Sequence, residues 1–403
     1  MPTRRRGTVS VSVAIVGATL VGPHTASVGT LVADDGRIVS VGDGNSPPRA
    51  EVFDGRGLTL LPGFIDVHVH GGGGADTMDA TPDGLRAVCR IHAAHGTTGL
   101  LATTITQSRS RISAALANAR AAYQSGPDFC PDGARVMGIH LEGPYISPAR
   151  PGAQPKEFVR DYDAGEFGEW LAIAGGALKL ITLAPERPGA SELIAACRAA
   201  GVVVSMGHTD AGADETAQAL NRDVTHATHL FNAMPSIHHR APGPIPRLLT
   251  DARARVEIIA DGHHVAPDVI RLVVAAKGTA GVVLITDGIR GVGFGDGDYD
   301  LGGQAATVRD GRATLADGTL AGSLLTMNLA VANLRRWGIV TDWIALARMT
   351  STNAADEMGW TTKGRLSAGC DADLVLVDDS LTVHATFIGG TCVYRRVRQN
   401  PFA

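Results

Sequence analysis

The chain lacks what would suit it to nucleic acid or to a membrane. Its 36 basic and 40 acidic residues nearly cancel, for a formal charge of −4, and no basic stripe runs along any segment. Nucleic acid and anionic lipid are therefore excluded as primary partners. No apolar run approaches the roughly 20 residues that span a bilayer as a helix. Cysteine is also sparse. Cys89, Cys130, Cys197, Cys370 and Cys392 are odd in number, widely spaced and form no Cys-x-x-Cys. This excludes a disulfide framework and a thiolate zinc site, and it suits a reduced, cytoplasmic protein. Arg4-Arg5-Arg6 ahead of the apolar stretch 8–21 resembles an export signal. Ser10, Ser12, Gly17 and Thr19 dilute that run, however, and no clean small-x-small site follows. The segment reads instead as the start of a β-hairpin array, continued by a strand-turn-strand pattern with Asp35-Gly36 at the turn.

What is present is a large apolar fraction, 44%, enough for a sizeable core, and 50 scattered glycines that suit many tight strand-to-helix turns. Residues 1–60 are short β segments. From 61 onward, strands and helices alternate. Eight apolar strand candidates fall at 63–69, 97–105, 135–142, 178–184, 202–207, 224–230, 255–260 and 281–286. Helical stretches lie between them at 81–95, 109–125, 191–200, 214–221 and 267–278. Eight such units predict a (β/α)8 barrel, with a doubly wound sheet as the second choice. A β-hairpin insertion is expected at 300–318, helices at 324–337 and 342–349, and a return to β structure after 369. The predicted division is a small β-sandwich domain built from both chain ends (1–60 and 365–403) around a barrel at 61–364.

Active sites of such barrels lie at the C-terminal ends of the strands. His68 and His70, two apart on the first strand, share one face. The third strand ends in His140-Leu141-Glu142-Gly143-Pro144, the fifth in Gly207-His208-Thr209 and the sixth in Thr228-His229-Leu230-Phe231-Asn232. The seventh ends in Asp261-Gly262-His263-His264, the eighth in Thr286-Asp287-Gly288. Any one of these alone is more often a hydrogen-bonded turn residue, which is the reading given to His24, His92, His95, His226 and His384. Coincidence at five or six strand ends of one barrel is another matter. Imidazoles with one carboxylate suit Zn²⁺, Fe²⁺ or a related divalent ion. Glu142, His208 and His229 make one three-ligand set. His68 and His70 complete a second with Glu142 bridging, so one or two ions per subunit are expected. Asp287 is then placed to move the proton of an activated water, and metal-assisted hydrolysis follows from this set.

These motifs resemble the amidohydrolase superfamily and, within it, the N-acetylglucosamine-6-phosphate deacetylase family. The resemblance rests on 62–71, His140–Pro144, Gly207–Thr209, Thr228–Met234, Arg240-Ala241-Pro242-Gly243, Ile259–His264, Thr286-Asp287 and Leu320–Ser323. The closing 369–375 is similar to the superfamily's return to its β domain. The resemblance implies hydrolysis of the acetamide of a 6-phosphorylated amino sugar, with Asp287 as general base and then acid. It further implies that Asn232, Ala233, Arg240 and His264 bind sugar and phosphate, that Leu320, Ala321 and Gly322 line the sugar, and that Arg240 reaches a neighbouring subunit in a homodimer. Ala153-Gln154 stands where relatives often carry a histidine that polarises the acetyl carbonyl. Gly288-Ile289-Arg290 and Asn328 also depart from the usual pattern, and Arg290 is read either as an anion contact or as a solvent-facing residue. The competing readings are N-acetylgalactosamine-6-phosphate as substrate, a cyclic amide (for which Lys179 would be the carbamylated bridge) and a non-catalytic metal- or sugar-binding barrel.

Overall fold

The computed structural model describes residues 12–42 and 50–397; Arg4-Arg5-Arg6 lies outside the described residues. Eight parallel strands, Phe64–Val69, Thr97–Thr103, Arg135–Glu142, Leu178–Leu183, Val203–Met206, Val224–Ala227, Arg255–Ile259 and Val282–Ile285, pair in sequence order. They are referred to below as barrel strands 1 to 8. Strands 1, 2 and 8 are buried at every position, as expected where helices cover the outside and side chains fill the inside. Strands 1 and 8 meet through only a few backbone bonds, Asp287 N–H to His68 O at 2.9 Å and the His70 and Gly71 N–H groups to Gly288 O at 2.9 and 2.8 Å. These close the barrel.

Helices Pro82–Ala94, Arg109–Ser125, Ala190–Ala199, Ala213–Leu220 and Pro267–Lys277 lie within one or two residues of their predicted bounds. Their starts follow local chemistry: Thr81 and Ser108 accept backbone N–H groups as N-caps. A further helix, Ala164–Ala174, is capped by Asp163 and stopped by Gly175 in the left-handed region (φ 54°). It escaped the sequence pattern because Gly165 and Gly168 interrupt the apolar period.

The insertion after strand 8 is larger than a hairpin. It is a four-stranded antiparallel sheet, Gly297–Leu301, Gln304–Arg309, Arg312–Thr314 and Leu320–Ser323. The next helix starts at Met327 after Thr326, later than the predicted 324. The segment predicted as one helix at 342–349 continues through a π turn, Arg348–Thr352, into Asn353–Glu357.

Both chain ends build one connected eight-stranded sheet, in which Thr59–Pro62 pairs with Leu374–Val377. It closes over its own apolar core of Ile15, Leu31, Phe53, Leu60, Leu374 and Phe387. Phe53 and Phe387, from strands that are not neighbours, meet edge to face at 4.7 Å. The five cysteines are all free thiols, and among the described residues no helix is long and apolar enough to cross a membrane.

Candidate metal centre and cavity

Six polar side chains from five barrel strands converge at one end of the barrel. Glu142 closes strand 3, and His208, His229 and Asp287 lie just beyond strands 5, 6 and 8. The last three take left-handed backbone, with φ of 46°, 28° and 50°. Such conformations cost side-chain-bearing residues on the order of 1–3 kcal/mol and cluster at functional sites. The turns re-aim each side chain inward.

Glu142 Oε1 lies 3.3 Å from His208 Nε2, 3.2 Å from His229 Nε2 and 3.5 Å from His68 Nε2. Its other oxygen is 3.3 Å from His70 Nε2. Asp287 Oδ1 lies 3.4 Å from His68 Nε2 and 3.2 Å from His70 Nε2. All six side chains are nearly fully buried. Two sets, Glu142/His208/His229 and His68/His70/Asp287, each bring three ligand atoms within 4.8 Å of one another. His208 Nδ1 donates to Arg150 O at 3.1 Å, which leaves its Nε2 a bare lone pair. That lone pair faces His229 Nε2 at 3.1 Å. His68 Nε2 has no hydrogen-bond partner. Imidazole nitrogens packed this closely around a carboxylate suit a shared cation, since ligand atoms of a tetrahedral zinc at about 2.0–2.1 Å stand ~3.3 Å apart. The donor set fits a divalent metal ion.

The electrostatics agree. Burial alone would raise Glu142, but His68, His208 and His229 hold it well below the usual carboxylate range. Burial alone would lower His70, yet Asp287 and Glu142 push it up to about 10. The site is built to hold positive charge. Asp66, by contrast, is pushed up by burial to about 7 and accepts Thr286 Oγ1 at 2.5 Å, tying strand 1 to strand 8.

A cavity of about 220 Å³ opens on this centre. His70, Glu142, His208, His229 and Asp287 form its floor, and Gly152, Ala153, Gln154, Asn232, Ala233, His264, Leu320 and Gly322 its walls. Gly152 (φ 56°) packs so closely that a Cβ there would lie 3.1 Å from His208 Cε1. His264 Nδ1 is held by Asp261 at 2.6 Å. Gln154 donates from Nε2 to Glu142 at 2.7 Å, and its Oε1 accepts the Thr106 N–H at 2.6 Å.

Three expected residues do not line the cavity: His68 sits beneath it among the metal ligands, and two more lie away from it. Ala321 is fully buried in the insertion sheet, and Arg240 is exposed on the loop after Met234, with its Nη1 2.7 Å from His239. Arg290 does not face the cavity either, because Asp79 takes its guanidinium in two bonds of 2.8 and 2.7 Å. Lys179 lies over the Tyr123 ring at 5.4 Å, away from the metal ligands. Asn328 bonds His95, Thr326 and the Leu381 carbonyl, a structural set.

The sequence reading missed residues on two sides. Ile105, Leu301 and Thr319 also line the cavity, the last two because the insertion sheet leans over it. Behind His68 runs a buried chain of alternating acid and imidazole. His68 Nδ1 is 2.9 Å from Glu257 Oε2, Glu257 Oε1 is 3.0 Å from His226 Nε2, and His226 Nδ1 is 2.8 Å from Glu357 Oε2. A carboxylate in the middle of the apolar strand Arg255–Ile259 was a usable signal for Glu257; nothing local points to Glu357. Burial alone would lower His226, but Glu357 and Glu257 push it up to about 10. Its unfolded value is near 6.5, so the stability it contributes is fully present below that pH and is lost as pH rises toward 10. The melting-temperature gap between wild type and His226→Gln is therefore expected to narrow from pH 7 to pH 10. A gap that stays constant would contradict the charged state of His226.

A model of the amidohydrolase family matches residues 59–393. The chain belongs to the amidohydrolase family. An N-acetylglucosamine-6-phosphate deacetylase from Bacillus subtilis is 43% identical over 90% of this chain and 91% of its own length. An N-acetylgalactosamine-6-phosphate deacetylase from Escherichia coli O157:H7 is 37% identical over 82% and 86%. Among solved structures, a mutant N-acetyl-D-glucosamine-6-phosphate deacetylase from Mycobacterium smegmatis, in complex with N-acetyl-D-glucosamine-6-phosphate, superposes with a TM-score of 0.89 at 36% identity, covering 95% of this chain and 99% of that one. The barrel-plus-β-domain architecture of this amidohydrolase is thus shared with a ligand-bound relative.

Proposed function

We propose that the chain hydrolyses the acetamide of N-acetylglucosamine-6-phosphate, giving glucosamine-6-phosphate and acetate. The observation that carries this reading is the meeting, on the floor of one cavity and just beneath it, of a three-ligand set, a second ligand pair and the separate carboxylate of Asp287. Relatives of that activity at up to 43% identity over nine-tenths of the chain support it.

Glu142, His208 and His229 would hold the main ion, and His68 and His70, with Glu142 shared, a second. Zinc and iron both suit such nitrogen and oxygen donors. The ion supplies Lewis-acid chemistry, polarising the acetamide carbonyl and acidifying the attacking water from about 15.7 toward 7. Burial would raise Asp287, but His68 and His70 hold it below the usual carboxylate range. It is therefore ionised near neutrality, can take the water's proton and can then deliver it to the departing amine. Gln154 has both ends of its amide engaged, so it orients Glu142 and leaves carbonyl activation to the ion. Asn232, Ala233 and His264 would fix the sugar from one wall, Leu320 and Gly322 from the other.

Arg240 would bind the 6-phosphate of a neighbouring subunit's substrate, in a homodimer. Its exposure and, among the described residues, its lack of a carboxylate partner support this, and a guanidinium matches phosphate oxygens in pairs. Free thiols support a cytoplasmic setting. Boundaries near residues 60 and 365 separate the β domain from the catalytic barrel. The N-acetylgalactosamine-6-phosphate relative makes the epimer the second reading. One experiment tests the whole: acetate release from both 6-phosphates, wild type against Arg240→Ala. Wild type should release acetate, with kcat/KM ranking the two epimers. Arg240→Ala should raise KM about 10–100-fold, the worth of a lost charged hydrogen bond. No release by zinc- or iron-loaded wild type sinks the activity, and an unchanged KM sinks the role of Arg240.

A further inference from the structure

The buried chain behind His68 has no place in the hydrolysis just described, yet it runs unbroken from a metal ligand to Glu357, on a helix outside the barrel strands. Its hydrogen inventory is fixed by geometry. Glu257 Oε2 receives both His68 Nδ1 at 2.9 Å and the backbone N–H of His229 at 3.0 Å. A backbone N–H can only donate, so that oxygen acts as an acceptor toward both. Its other oxygen faces His226 Nε2 at 3.0 Å. The remaining nitrogen of His226 faces Glu357 at 2.8 Å. His226 thus stands between two carboxylates, with a donor needed at each nitrogen, and it balances the charge of Glu257 inside the barrel. Glu257 and His226 are completely buried and cannot borrow water for this purpose. The anchor is Glu357, at the end of the helix that follows the π turn under the barrel.

We infer that Glu257, held in place by His226 and Glu357, fixes His68 as the tautomer protonated at Nδ1, so that Nε2 presents its lone pair to the second metal position. Glu257 is a positioning residue: it touches neither cavity nor substrate. The same oxygen also accepts the backbone N–H of His229, a contact that has no bearing on the tautomer of that ring. Outer partners of metal-bound histidines ordinarily set ring orientation and ligand basicity, and removing one typically costs about 10–100-fold in metal affinity. His68, His140 and Glu257 also lie close enough to suggest a third ligand set. That use is disfavoured, because His68 Nδ1 and both Glu257 oxygens are already engaged and His140 Nε2 is bonded to Thr182 at 2.7 Å.

The part concerning a second ion rests on the two-ion reading above; the tautomer does not. The test is therefore double. In zinc-loaded protein labelled with ¹⁵N-histidine, where an ion can stand in place of a proton on Nε2, the His68 signals, assigned by their loss in His68→Gln, should report Nδ1–H in wild type. In Glu257→Leu, which leaves Nδ1 without an acceptor, the signals should move toward the Nε2–H form. Titrated with zinc, Glu257→Leu should bind the second equivalent about 10–100-fold more weakly than wild type, with the first changed less than threefold. Glu357→Gln, at the far end of the chain and partly exposed, is the variant to use if Glu257→Leu does not fold; it should weaken the second equivalent alone, by less. An unchanged His68 tautomer, or equal loss of both ions, overturns the inference. A wild type that binds a single ion while showing the Nδ1–H form overturns the two-ion reading and the claim on affinity, and leaves the tautomer assignment supported.

Discussion

Asp287→Asn is expected to lose about 10²–10⁴-fold in kcat while keeping its main ion and its KM within a few-fold. The size is that of a positioned general base. The amide is nearly isosteric and can still accept hydrogen bonds, but it cannot take a proton near neutrality. Asp287 is not among the Glu142/His208/His229 set, so the main ion should stay. It does lie 3.2 Å from His70 and 3.4 Å from His68, so a second ion should bind more weakly in the same variant, and metal content must be measured on the same samples. Steady-state acetate release against metal content per subunit separates the two effects. A variant that retains more than a tenth of wild-type kcat would remove Asp287 from the proton-transfer role.

Glu142→Ala should be more damaging still, and in two ways. Glu142 belongs to one ligand set and borders the other, with imidazole nitrogens of His68, His70, His208 and His229 all within 3.5 Å. Its removal takes one ligand from three and deletes the negative charge that draws a cation inward. The main ion should fall well below one per subunit. Loss of an ion that acidifies water by about 8–9 pKa units, with roughly half the gain offset by weaker nucleophilicity, implies a drop on the order of 10⁴-fold or more in kcat/KM. The stabilisation that a bound ion gives should go with it. At a free concentration 100 times the dissociation constant this is about 2.7 kcal/mol, so added zinc should raise the melting temperature of wild type and leave that of Glu142→Ala nearly still. Full occupancy of Glu142→Ala by metal analysis would show that the ion is held elsewhere.

Much of this was legible in the sequence, for identifiable reasons. The barrel strands are buried on both faces, so their apolar runs stand out, and strand 3 has the same bounds in sequence and structure. The polar residues that interrupt those runs at their ends, Glu142, His208, His229 and Asp287, are the ones the fold gathers around one cavity. Three things were hidden. Glu357 joins His226 across 131 residues, a contact no local pattern encodes. Leu301 and Thr319 reach the cavity only because the insertion folds as a four-stranded sheet. Arg290 had two open readings until Asp79, far away in the chain, was seen to hold it. In each case the missing information was tertiary and lay outside the period of any single element.

The strained strand ends and the closure of the barrel together have a mechanical side. The joint between strands 1 and 8 is the thinnest in the wall, a handful of backbone bonds at His68, His70, Gly71 and Asp287. The side chains of three of those residues turn inward, where Glu142 of strand 3 lies within 3.5 Å of His68 and His70. A cation seated there would act as a clasp on the seam, loading the joint in tension from within. When it leaves, the wall should part first at this line, with the other seven junctions still laced. Entry and escape of the ion and the opening of the barrel would then be one and the same motion.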